Sequence, residues 1–123
     1  MTTAPIPQFR FADSEASAVA VDADILRIRF AAARVDDGWL QSLDLALAGA
    51  TWTGPLGECI GRIAEGQVRV DGRALARLAV PCELAGDIAL ELRFANGAAL
   101  AARGRALVVA TRADTRPVDD FSC

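Results

Sequence analysis

The chain has no histidine, no lysine and no tyrosine, so all 13 of its basic residues are arginine. Without histidine it lacks the side chain that ordinarily moves protons near neutral pH. Without lysine it has no Schiff-base amine and no phosphate-binding lysine of the P-loop kind. The stretch Gly54-Pro55-Leu56-Gly57 therefore reads as a chain breaker, and no segment has the alternating oxygen ligands of a calcium loop. Cysteine is scarce: Cys59, Cys82 and Cys123 are odd in number, far apart and without a C-x-x-C pair. That spacing argues against both a disulfide framework and a zinc site, and it points to a reducing, cytoplasmic setting. No cofactor and no metal are expected.

Long apolar runs are missing as well, so no helix is expected to cross a membrane. The segment Met1 to Pro7 has no positive stretch leading into an apolar one, and no secretion signal is read there. A basic excess is also missing. The net charge is −3, from 16 acidic and 13 basic residues spread along the chain, which argues against a nucleic-acid partner.

What is present is material for one small domain. The 123 residues are enough for a real core, although alanine supplies much of the 53% hydrophobic fraction. The larger apolar residues recur in short alternating clusters. Leu26, Ile28 and Phe30 alternate with Arg27 and Arg29, and Ile88, Leu90, Leu92 and Phe94 alternate with Glu91 and Arg93. A period of two is the signature of a strand with one wet face.

Turn signals divide the clusters. Phe9 and Phe11 suggest a first strand, Asp13-Ser14-Glu15 a turn, and Ala18 to Val21 a short second strand. Asp37-Gly38 is a two-residue hairpin signal; centred there, the register pairs Asp36 with Trp39, Ala32 with Leu43, Phe30 with Leu45, Ile28 with Leu47 and Leu26 with Gly49. Thr51 to Glu58 reads as a loop, Cys59 to Ile63 as a short strand, and Gln67 to Val70 as a better one that turns at Asp71-Gly72. Ala74 to Val80 returns either as a strand or as a short helical turn. A three-residue loop, Ala95-Asn96-Gly97, with Gly97 left-handed, pairs Phe94 with Ala98 and Leu92 with Leu100. A bend or bulge is expected at Arg103-Gly104-Arg105.

These readings give an all-β fold, a small antiparallel β-barrel or a two-sheet β-sandwich of about seven to nine short strands. A single domain over 1–123 is expected, with loose ends at 1–7 and 111–123. The expected core is Leu26, Ile28, Phe30, Leu43, Leu45, Leu47, Leu90, Leu92, Phe94 and Leu100, with Gly38, Gly72 and Gly97 at turns.

Chemistry is harder to find. Cys59 and Cys82 read as buried, inert thiols, and Cys123 as exposed if the tail is free. The pairs Asp36-Asp37 and Asp119-Asp120 read as turn and solvated groups. The binding candidates are Trp39, Trp52, Arg27 and Arg29: two aromatic groups beside irregular segments, and two guanidinium groups on one polar face that can meet Asp44. No catalytic constellation emerges. The leading reading is a domain acting through a protein partner or self-association. A small-molecule pocket near Trp39 or Trp52 is the alternative, and an enzyme using Asp, Glu or Cys comes third.

Overall fold

The computed structural model describes residues 7–36 and 38–111. Ten strands form: β1 (Gln8–Asp22), β2 (Ile25–Val35), β3 (Gly38–Leu40), β4 (Leu43–Ala48), β5 (Thr51–Thr53), β6 (Gly61–Val70), β7 (Arg73–Leu75), β8 (Leu78–Ala79), β9 (Cys82–Phe94) and β10 (Ala99–Thr111). One turn of 3-10 helix, Leu56–Glu58, precedes β6. Six strands pair in the order β2-β4-β10-β9-β6-β1, and β1 pairs back to β2, closing an antiparallel barrel. The chain passes from β4 to β6 across the end of the β9–β10 hairpin, a Greek-key connection.

Alternation fills the inside. Leu26, Ile28, Phe30, Leu43, Leu45, Leu47, Ile63, Ile88 and Leu90 are fully buried, and every residue of the expected core is at most 3% exposed. Phe9 packs edge to face on Phe11 and Phe30, with ring centroids 4.9 and 5.1 Å apart. Each such side chain contributes about 1.5–3 kcal/mol by leaving water.

Two turns form as the sequence predicts. Asp71 and Gly72 both have positive φ between paired Val70 and Arg73. Gly97 has φ +95°, Leu92 faces Leu100, and the Phe94 amide donates to the Ala98 carbonyl at 2.8 Å. The Asn96 side chain holds this loop from both ends, donating to the Glu58 carbonyl and accepting from the Ala98 amide.

The hairpin after β2 differs from expectation. Val35, not Asp36, begins the pairing and faces Gly38, which is therefore a strand residue. Leu26 then faces Leu47, Ile28 faces Leu45 and Phe30 faces Leu43. The shift is two residues, which leaves every side chain on its face, so alternation alone could not detect it. The observed register gives Leu26 an apolar partner where the expected one offered only Gly49.

The expected turn at Asp13-Ser14-Glu15 is instead a bulge inside one long strand. From Arg10 to Glu15 β1 advances five residues while β2 advances two, from Arg34 to Ala32, and Asp13 takes φ +71°. Ser14, fully buried, fills the gap: its hydroxyl donates to the Arg10 carbonyl at 2.6 Å and accepts from the Arg34 amide at 2.8 Å. Smaller corrections follow along the chain. Thr51–Thr53, expected as loop, forms β5 and continues the register of β4 along β10, and residues 74–80 hold short strands with no helical turn. At Gly104 β10 bulges where a Cβ would lie 2.6 Å from the Ala48 carbonyl oxygen. The ends expected to be loose fall outside the described residues except at Pro7, whose carbonyl accepts from Val80, and Thr111, which faces Leu43.

Gly97→Val is expected to lower stability by about 1–3 kcal/mol in urea unfolding, through backbone strain alone, since nothing lies within 4 Å of an added Cβ. Ser14→Ala orphans the Arg34 amide and should cost about 1–3 kcal/mol, with hydrogen exchange at that amide accelerating first.

Candidate functional site

Buried side chains line the barrel interior, and two depressions lie on its walls. A depression of about 570 Å³ crosses β5, β10, β9 and β6. Ala99 and Ala101 leave it low, and Glu65, Gln67, Glu91 and Arg93 rise beside them. A smaller hollow of about 300 Å³ continues it past Trp52 and Arg103. The polar groups here already answer one another: Arg93 pairs with Glu65 at 3.1 Å, Gln67 donates to Glu91 at 3.2 Å, and Arg103 reaches Asp87 at 3.6 Å.

A different wall carries polar groups that are left unanswered. Register sets Arg10 of β1 opposite Arg34 of β2, and Arg34 opposite Trp39 of β3. Phe9, Phe11, Ala33 and Val35 are buried, so strand alternation turns Arg10 and Arg34 outward. The Arg34 guanidinium lies 5.3 Å from the centre of the Trp39 ring, which is 51% exposed. On the other side of β1, β8 places Leu78 opposite Phe9, and the neighbouring Arg77 pairs with Asp36 at 3.1 Å. Three guanidinium groups thus gather on one patch of an acidic protein.

Two of them lack partners. Arg10 and Arg34 make no ion pair among the described residues, and the Nε atom of each is buried without a hydrogen bond. Like charges directly opposite across a strand pair cost stability, and buried donors left unsatisfied cost more. The guanidinium fork matches a carboxylate or phosphate edge, and an anion seated between the two would relieve both penalties.

The residues singled out in the sequence are separated by the fold. Trp39 belongs to the arginine row. Trp52 lies on β5 opposite Ala102, 39% exposed, beside the smaller hollow. Arg29 faces Asp44 and approaches it to 3.8 Å, while Arg27 faces Ala46. Sequence reasoning missed Arg10, Arg34 and Arg77. Arg34 and Trp39 flank the hairpin and were within reach of a correct register. Arg10 was hidden by the bulge, which sets its pairing.

Both described thiols are poor nucleophiles. Burial, with the Glu58 carboxylate adding to it, pushes the fully buried Cys59 thiol up. Burial also raises Cys82, against a smaller opposing contribution from a hydrogen bond with the Val109 backbone. Among the described residues no three His, Cys, Asp or Glu side chains are placed to hold a metal ion, and no helix is long and apolar enough to cross a membrane. Comparison of the chain with protein-family models, curated proteins and solved structures finds no match.

The raised thiols set a pH dependence. The folded state holds these protons to higher pH than the unfolded state does, so their contribution to stability is whole below the ordinary thiol pKa and is lost as pH rises through the raised one. Urea midpoints are expected to fall on the alkaline side, less steeply in Cys59→Ala. In a Cys123→Ser background, labelling by a chromogenic disulfide reagent at neutral pH should be slow until denaturant is added.

Proposed function

We propose that this chain is a non-catalytic binding module, working in a reducing, cytoplasmic setting, that docks an acidic segment of a protein partner on the row Arg10, Arg34 and Trp39. One observation carries this reading: two outward arginines stand opposite each other, and among the described residues their buried Nε atoms have no hydrogen-bond partner and their guanidinium groups no ion pair. Favouring a protein partner over a small ligand, the row lines neither of the depressions of about 570 and 300 Å³, which lie on another wall. A carboxylate delivered on an extended chain needs no enclosing pocket. Arg34 and Arg10 take the charge in a forked contact, and the exposed Trp39 ring covers the neighbouring residue of the partner. Arg77, already held by Asp36, frames the site. The groove beside Trp52 fits a small ligand by volume, but its paired walls leave little hydrogen-bonding capacity for one.

Trp52→Phe leaves Trp39 as the only tryptophan and gives a direct readout. Titration with a glutamate-rich peptide is expected to change Trp39 fluorescence saturably, with affinity falling as salt rises. Arg34→Gln should weaken binding about tenfold or more, corresponding to about 1.5–3 kcal/mol for a hydrogen bond to a charged group, and Arg10→Gln should do likewise. No saturable signal, or binding indifferent to both substitutions, would overturn the reading. A response to inorganic phosphate equal to that for the peptide would replace the protein partner with a free anion.

A further inference from the structure

The wall made by β2, β4, β10 and β9 is neither the arginine row nor the groove, and its composition is unusual. Register lines up Arg27, Ala46, Val108 and Glu83 as one row across the four strands. On one side of it lies the row Ala48, Ala106 and Ala85, and on the other Arg29, Asp44 and Ala110. The middle of this wall is therefore alanine, with one larger side chain, Val108, 40% exposed at its centre. The described charges at the two ends of the central row have opposite sign. Neither has an ion-pair partner among the described residues, although six other arginines do.

We infer that this wall is the contact between two copies of the chain, related by a twofold axis that runs along the strands between β4 and β10. The row is self-complementary under that operation. Rotation about such an axis lays Ala46 of one copy over Val108 of the other, and Arg27 of each over Glu83 of the other, giving two equivalent ion pairs. The row spans roughly 14 Å, three inter-strand steps. Over that distance the wall curves away from its centre, and the residues at its rims are the long ones, able to reach across the widening gap. Alanine in the middle lets the two backbones come close, so Val108 seats between the alanines of the facing sheet. A row with equal charges at both ends would repel its own copy in this arrangement. The contact is small, at the low end of specific interfaces, and the dimer is accordingly a weak one. It leaves the Arg10–Arg34–Trp39 row uncovered on each copy.

Sedimentation of the reduced protein over concentrations up to the millimolar range tests the inference. A monomer–dimer equilibrium weakened by salt is expected. Val108→Asp should abolish it while leaving the thermal unfolding midpoint nearly unchanged, because Val108 is on the outer face. Arg27→Glu and Glu83→Arg should each weaken association about tenfold or more, since each places like charges in contact twice. The double variant restores the opposite-sign contacts and should recover dimerisation. A protein that stays monomeric throughout, a dimer that survives Val108→Asp, or a double variant no better than the single ones would overturn the inference.

Discussion

Closure of the barrel rests on what β1 does at its bulge. This strand must pair with β2 along most of its length and also reach β6, where it makes only two paired positions, Glu15 with Arg62 and Ala16 with Gly61. On that side the strand passes from β8, paired at Gln8 and Phe9, to β6, paired at Glu15 and Ala16. Looping out extra residues around Asp13 supplies the bend, but it breaks the ladder to β2 inside a dry wall. The Ser14 hydroxyl carries the interrupted ladder across the break by bonding one backbone group of each strand. The parity of β1 changes there: Phe9 and Phe11 point inward before the bulge, and Ser14 and Ala16 after it. The aromatic cluster with Phe30 and the last seam of the barrel therefore depend on one serine.

How much of this was legible in the sequence follows from what alternation can and cannot specify. It distinguishes the two faces of a strand, so the inward residues of β2, β4, β9 and β10 were readable, as was the Asn96-Gly97 loop, whose chemistry is local. It does not distinguish registers two residues apart, which is why the β2–β4 pairing was displaced. It also fails at a bulge, where a polar run such as Asp13-Ser14-Glu15 looks the same whether the chain reverses or merely bends. Barrel and sandwich share the same strand pattern. The choice between them lies in the pairing of β1 with both β2 and β6, contacts between distant residues that no local pattern records.

The same limits explain the candidate site. Trp39 was visible as an aromatic beside a turn, but its significance comes from neighbours on two other strands, and each depends on register. Arg27 and Arg29 looked equivalent in sequence. The fold gives Arg29 a carboxylate and gives Arg27 an alanine, so adjacent outward positions acquire different chemistry. Six of the eleven described arginines are answered by a nearby acid, and such exposed pairs individually contribute little to stability. Arg10 and Arg34 stand out from the other described arginines by their buried Nε atoms, which have no hydrogen-bond partner among those residues.

The Greek-key connection also fixes an order in time. β4 is complete by Ala48, yet its neighbour on one side is formed by Ala106 to Thr111, more than fifty residues later. During synthesis β1 and β2 can zip and β4 can join them, but the free edge of β4 has no strand to meet until β10 leaves the ribosome. β4 is thus the strand that waits longest with an open edge. Asp44, the one charged residue of this short strand, works against pairing of the waiting edge with a neighbouring nascent chain.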